Sequence, residues 1–281
     1  MDAKEAYQVG CSILSPISSS ASFEVFELLQ HCANLSKTDV LCNTKQLSES
    51  QKSDFLACLK RRKSGEPLQY IVGEWSFFGR DYTVGSGVLI PRADTEVLVE
   101  TAISCAKQIG AQNAADLCAG SGCIGISLSC ELDIPVDCYE KSEKAFGYLQ
   151  KNIQKNHADC RAVLWDVCAE NTGTYDMIVS NPPYLTKVDM QNLQREVSYE
   201  PEMALYGEAE DGLSFYRIIT KKWKSSLKPG GWLLYEVGMG QHDDVAAILE
   251  ENGFTDICTQ KDLCGIIRVV YSRRAKEDIN A

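Results

Sequence analysis

From residue 113 onward the chain alternates short apolar runs with longer amphipathic stretches, the pattern of strands separated by helices. The first run, 114–118, passes through a glycine-rich turn into an apolar helix that extends through Leu128. Strands follow at 135–139 and 162–165, with a helix to about Asn156 between them. The run 175–180 is bounded by an acid and a serine and is short enough for a buried strand. A helix over about 212–227 leads through Pro229-Gly230-Gly231 to a strand at 232–237. A helix over about 241–251 then precedes closing strands at 254–260 and 266–271. Helix-separated strands predict an α/β fold with a doubly wound, seven-stranded sheet. The last two strands lack an intervening helix, which makes one of them antiparallel.

The first 65 residues follow another period. Phe23, Phe26, Leu28, Leu29 and Cys32, then Phe55, Leu56 and Leu59, recur at helical spacing, with Ser22, Thr38 and Ser48 as candidate N-caps. They predict a small helical bundle without a catalytic constellation. Gly65-Glu66-Pro67 breaks that pattern. Short strands at 69–73, 75–79, 81–84 and 88–90, separated by glycine turns, predict a hairpin bridging two domains. Asp94 is placed to cap a helix over 95–108. The predicted organisation is a helical domain over 1–72, a hairpin linker over 73–92 and a catalytic domain over 93–281.

Composition acts mainly by exclusion. A chain of 281 residues, 44% apolar and 24% charged, has the material for a proper core. It opens Met1-Asp2-Ala3-Lys4-Glu5 with no basic leader before an apolar run, and no apolar span is long enough for a bilayer. No signal peptide and no membrane partner are expected. Thirteen scattered cysteines include no Cys-x-x-Cys pair, and the three histidines stand far apart. That spacing predicts a reduced, cytoplasmic protein with neither a disulfide framework nor a metal site. Residues 1–80 hold nine of the 28 Lys and Arg and nine of the 39 Asp and Glu, so the net charge of −11 falls wholly in residues 81–281. A nucleic-acid partner, which calls for a basic footprint, is not expected. The run Lys60-Arg61-Arg62-Lys63 reads as a solvated helix end.

The chemistry gathers at strand ends, where ligands bind in such sheets. Gly120 and Gly122 allow close backbone approach ahead of a helix N-terminus. Glu140, about twenty residues on, can accept bonds from ribose hydroxyls, and Asp166 can read a ring amino group. A glycine-rich loop with an acid also describes a dinucleotide site, but Asp116-x-Cys118-x-Gly120-x-Gly122 departs from the pyrophosphate fingerprint. A single nucleoside carrying a sulfonium methyl fits better. The strand 175–180 runs into Asn181-Pro182-Pro183-Tyr184, where two prolines end ladder pairing and stiffen the backbone. The Asn181 side-chain carbonyl and the Pro182 backbone carbonyl can accept both N–H bonds of a planar NH2 group, and Tyr184 can stack on it. A plain strand-terminating turn is the alternative for these four residues.

Taken together, Gly65-Glu66-Pro67-Leu68-Gln69-Tyr70, Leu89-Ile90-Pro91-Arg92, Asp94-Thr95-Glu96, Asp116-Leu117-Cys118 through Gly122-Cys123, Asn181-Pro182-Pro183-Tyr184, Glu200-Pro201 and Asp211-Gly212-Leu213 strongly resemble the HemK/PrmC family. These are the N5-glutamine methyltransferases that modify peptide chain release factors. The resemblance runs from Gly65 to Tyr271 and, more loosely, over the helical N-terminal part.

It implies a class I S-adenosylmethionine-dependent methyltransferase fold behind a helical domain that helps dock the release factor. It further implies that Cys118, Ala119, Gly120, Ser121 and Gly122 lie under the cofactor, Glu140 holds its ribose, and Asp166 and Val167 flank its adenine. Asn181, Pro182, Pro183 and Tyr184 would hold the target glutamine of a Gly-Gly-Gln tripeptide, with Asn181 also at the cofactor and Asn181, Pro182 and Tyr184 catalytic. This sequence departs from the family's common pattern at Glu140 (often Asp), Ala119 (often Thr) and Val167, which cannot stack as an aromatic would.

The chain is expected to be a monomer. The competing readings are a ribosomal-protein glutamine methyltransferase, an adenine-N6 DNA methyltransferase with a similar Asn/Asp-Pro-Pro-aromatic loop, and a non-catalytic protein that kept the fold. Arg92, Glu96 and Glu200 are read as either loop-ordering or ligand-contacting.

Overall fold

In the computed structural model, which describes residues 1–169 and 173–276, the chain divides into two units. One comprises Met1–Glu74 with the segment Gln194–Tyr199; the other comprises Trp75–Leu193 and the chain from Glu200 on.

The first unit is helical: α1 (Ala3–Leu14), α2 (Ala21–Ala33), α3 (Lys37–Leu41), α4 (Glu49–Lys63) and α5 (Leu68–Val72). Ser48 caps α4 as predicted, in a reciprocal box with Gln51. Ser36, boxed with Asp39, caps α3 rather than Thr38, and α2 starts after Ser20, whose side chain makes no capping bond, rather than after Ser22. The core holds Val25, Leu28, Leu29, Phe55 and Leu59, whereas Phe23 and Leu56 of the predicted face are exposed. Glu24 and Arg62 are buried in exchange, joined by Arg62 Nε to Glu24 Oε2 at 2.7 Å and Nη2 to Oε1 at 3.1 Å. Arg62 also pairs with Glu196. The basic run is therefore not wholly a solvated helix end. Paired charges can occupy core positions that polarity alone assigns to the surface. The predicted strand over 69–73 is instead α5, entered from Pro67 and ended by Gly73 at φ +81°. Five apolar-rich residues are too few for periodicity to separate helix from strand.

The second unit begins one residue into the hairpin of β1 (Glu74–Phe77) and β2 (Arg80–Thr83), turned by Phe78 and Gly79 at φ +49° and +71°. Both turn residues are left-handed, as a two-residue type I′ connection requires. The predicted strand over 88–90 is a loop, because the Ile90 amide donates to the carboxylate of Glu200 at 2.9 Å instead of to a strand. Asp94 is not a cap. It lies in a short 3-10 turn (Ala93–Thr95) ahead of α6 (Glu96–Ile109) and pairs with Arg268 at 2.7 Å.

The sheet comprises β3 (Ala114–Leu117), β4 (Val136–Glu140), β5 (Cys160–Leu164), β6 (Tyr175–Ser180), β7 (Leu227–Glu236), β8 (Phe254–Lys261) and β9 (Ile267–Arg274), in the order β5-β4-β3-β6-β7-β9-β8. Among these strands β9 runs antiparallel to both neighbours, and the β3, β4, β5, β6 and β7 pairings are parallel. Helices α7 (Cys123–Leu132), α8 (Glu143–Asn156), α9 (Lys187–Gln191), α10 (Ser214–Trp223) and α11 (His242–Glu251) fall between strands. Both sheet faces are covered. Met177 and Val179 of β6 pack with α6 and α7, while Ile178 packs with Tyr216 of α10 and Val245 of α11. That two-sided burial is why the strand reads as an unbroken apolar run. Pro229-Gly230-Gly231 lies within β7 and produces the register shift between the Tyr175 and Met177 pairings. No helix among the described residues is long and apolar enough to cross a membrane.

Candidate active site

The chain leaves β3 toward β4 and β5 on one side and returns to place β6 on the other, so the carboxyl ends of β3 and β6 flank the switch point. An open cavity lies there. Its wall takes residues from the ends of four strands: Cys118 after β3, Glu140 at β4, Trp165 and Asp166 after β5, and Asn181 after β6. The Leu89–Arg92 loop and Met203 close other sides.

The loop after β3 is fixed by its own backbone. Ala119 N–H donates to Tyr139 O at 2.9 Å and Gly122 N–H to Ala119 O at 2.8 Å, while Asn152 Nδ2 donates to Ser121 O at 2.9 Å. Cys118 and Gly120 take φ of +63° and +56°. A Cβ on Gly120 would meet no protein atom within 4 Å, so this residue presents bare backbone to open space. Gly122, at φ +82°, serves differently. It stands ahead of α7, and a Cβ there would lie 2.5 Å from Leu149 Cδ1. Cys118, Ala119, Gly120 and Ser121 line the cavity; Gly122 packs behind it. Asp116, fully buried, anchors α7 by accepting from Gly125 N–H at 2.8 Å, and burial pushes its carboxyl up to about 7.

Glu140 accepts from Gly120 N–H at 2.8 Å through one oxygen and from Ser142 N–H at 2.6 Å through the other. Burial raises its pKa, and those backbone donors oppose the rise. Each oxygen keeps acceptor capacity beyond its one N–H, since an ionised carboxylate has about four lone-pair sites. Burial also pushes the Asp166 carboxyl up, but the Lys141 ammonium at 2.8 Å and the Cys168 amide at 2.9 Å hold it below the usual range. Val167 is buried on the wall, its carbonyl accepting from Trp223 Nε1 at 2.8 Å. Trp165, about 44% exposed, puts an aromatic surface on the wall beside it.

Asn181 and Pro183 line the far end of the cavity; Pro182 is buried, and Tyr184 packs against the apolar core behind. Asn181 Nδ2 reaches Thr95 Oγ1 at 3.5 Å. Burial, then the neighbouring charge of Glu236, pushes the Tyr184 phenol up to about 12, so it carries its proton at neutral pH. Glu200 accepts from Ile90 N–H and pairs with Arg92, and Glu96 accepts from Phe78 N–H at 2.8 Å. These contacts order loops.

The cavity fits an adenosine-bearing sulfonium compound. Open space lies over Gly120, and Glu140 has acceptor capacity facing it.

The protein also has close relatives. Residues 5–73 match the PrmC N-terminal domain and residues 93–200 the Methyltransferase small domain. The chain is 39% identical over 260 residues to a release factor glutamine methyltransferase of Geobacter sulfurreducens, covering 90% of each protein. It is 34% identical over 259 residues to the one of Thermodesulfovibrio yellowstonii, covering 90% of this chain and 92% of that protein. The chain belongs to the release factor glutamine methyltransferase family. A methyltransferase from Pyrococcus furiosus superposes with a TM-score of 0.53 at 16% identity, covering 81% of this chain and all of that one; at that identity the likeness shows the fold alone.

In this member of the release factor glutamine methyltransferase family, two wall groups and one buried acid beside Asn181 escape sequence reasoning. Thr95 is buried beside Asn181. Trp165 is legible only as the last residue before a strand-end acid. Glu236 ends β7 one position beyond the register pair Ser180↔Tyr235, which sets it next to Asn181. Its Oε2 is buried without a hydrogen-bond partner. Burial pushes its carboxyl up to about 7, opposed by Thr95, Arg268 and Asn181. The sequence signal was an acid directly after an apolar strand.

Proposed function

We propose that the chain transfers the methyl group of S-adenosylmethionine to the side-chain amide nitrogen of the Gly-Gly-Gln glutamine in peptide chain release factors. The observation that carries this reading is Asn181, held on the wall of the cavity at the switch point, in a member of this family. When bound, the cofactor supplies a sulfonium methyl as electrophile. Gly120 and the other loop backbone groups would hold it, Glu140 would accept from its ribose hydroxyls, and Asp166, Val167 and Trp165 would bound its ring.

An amide nitrogen is a poor nucleophile because its lone pair is delocalised into the carbonyl. The Asn181 Oδ1 and Pro182 carbonyls accept its two N–H bonds, which aims the nitrogen and stabilises positive charge as it develops. Tyr184 supplies a flat surface for the amide. Thr95 and Glu236 stand behind Asn181 and turn its NH2 group away from the target, leaving Oδ1 to accept. No side chain serves as a strong base; the surplus proton passes to water after transfer. The helical unit serves to dock the release factor, and the protein acts as a monomer.

The test is methyl transfer from labelled S-adenosylmethionine to a release factor, beside a copy whose Gly-Gly-Gln glutamine is changed to alanine. Label on the first alone is the expected result. Label on both copies, or on neither, contradicts the proposal.

A further inference from the structure

The helical unit brings together a donor set that linear spacing hides. His31 and Cys32 stand in the last turn of α2, and Cys58 lies 26 residues further on, in α4. Cys32 Sγ is 3.5 Å from Cys58 Sγ, and one ligand atom from each of the three residues lies within 4.8 Å of the others. Cys58 is buried, Cys32 half-buried and His31 exposed, so the cluster grades from core to solvent. Two thiolates bound at about 2.3 Å to a tetrahedral zinc ion lie about 3.8 Å apart, close to the spacing between these sulfurs. Asp54, one turn ahead of Cys58 on the same face of α4, is near enough for its charge to act on both thiols.

We infer that His31, Cys32 and Cys58 form a binding site for a thiophilic divalent cation, zinc above all, with the fourth position taken by water or Asp54. Two sulfurs and an imidazole are the soft and borderline donors that select zinc over calcium or magnesium, which take oxygen. Each helix contributes at least one ligand, so the ion would tie α2 to α4 across the core of the unit. The set is separate from the cavity at the sheet, whose wall contains none of these residues. The sequence reading expects no metal because it finds no paired-cysteine motif; packing of two helices supplies the pair instead.

The test uses the full chain, reduced and stripped with chelator, and titrated with cobalt(II) while thiolate-to-cobalt charge-transfer absorption is followed. Zinc is then added as competitor. The expected result is one cobalt per chain, a charge-transfer band bleached by zinc, and a thermal midpoint raised by zinc. Cys32→Ser abolishes the band and the thermal response. His31→Gln weakens binding by at least the roughly tenfold that loss of an outer-shell partner costs. Both substitutions fall at positions that are not fully buried, and retained helical circular dichroism separates ligand loss from unfolding. Absence of the band in the wild type overturns the inference. So does an undiminished band in Cys32→Ser, which would assign the metal to other thiols such as the exposed Cys42, Cys258 and Cys264.

Discussion

At the β3–β4 end of the cavity, Glu140 engages both carboxylate oxygens with backbone N–H groups at 2.8 and 2.6 Å. At the β6–β7 end, Asn181 reaches Thr95 only at 3.5 Å, and Glu236 keeps one buried oxygen without a partner. Charge-assisted bonds to backbone fix the Glu140 carboxylate before any ligand arrives, while Asp116 in the strand before the loop keeps one buried oxygen without a partner. The second end holds polar groups that are incompletely satisfied, which costs stability and is found where a ligand completes the network. Under the proposed function, the contrast amounts to a division of labour: the cofactor end is prebuilt, and the amide-holding end is finished by the substrate.

The sharpest way to break that comparison is Asn181→Ala. Removing one preorganised acceptor at a reacting centre costs about 10²–10³ in turnover, and turnover at saturating cofactor should fall by that order. Near-normal turnover in a methyl-transfer assay would end the scheme.

Glu140→Ala comes next and acts at the other end. A hydrogen bond to a charged group contributes about 1.5–3 kcal/mol, so cofactor affinity should weaken about 10- to 100-fold. Turnover at saturating cofactor should change much less. Calorimetric titration checks the first point and the transfer assay the second.

Glu236 gives a pH signature. Its carboxyl, ordinarily at 4.5, is pushed up to about 7 by burial. The native state therefore binds a proton that the unfolded chain has lost, and stability falls as the pH rises from about 4.5 through about 7. Glu236→Gln removes that fall. The wild-type-minus-variant difference in unfolding free energy should drop by about 1–3 kcal/mol between pH 5 and 8, measured by denaturant titration. Wild-type turnover should rise through about pH 7 as the ionised carboxylate gains its hold on Asn181; the variant should be lower and flat in that range.

The smallest effect is expected at Asp166→Asn. Its ion pair with Lys141 is partly exposed, and such pairs contribute about 0–1 kcal/mol, so cofactor affinity should weaken by no more than about fivefold.

What the sequence made legible was whatever rests on local order. Strand ends follow from period and residue type, so Gly120, Glu140, Asp166 and Asn181 could each be assigned to a strand end of the sheet, and the structure sets all four on one cavity wall. The antiparallel strand followed from a missing helix. What stayed hidden depends on contacts between distant segments. Glu236 meets Asn181 only through the β6–β7 register, and Thr95 only through the docking of the turn before α6. Glu24 and Arg62 satisfy each other in a core where polarity predicts surface. Cys32 and Cys58 meet only because α2 packs on α4. The strand expected at 88–90 failed for a related reason: a carboxylate 110 residues away takes the Ile90 amide.

The division of the cavity is tested most directly by calorimetric titration of S-adenosylmethionine into the wild type, Asn181→Ala and Glu140→Ala. The account predicts that Asn181→Ala binds the cofactor within about threefold of the wild type while its methyl transfer collapses, and that Glu140→Ala binds at least about tenfold more weakly. Equal loss of cofactor affinity in both variants would contradict it, because the two ends would then form a single network.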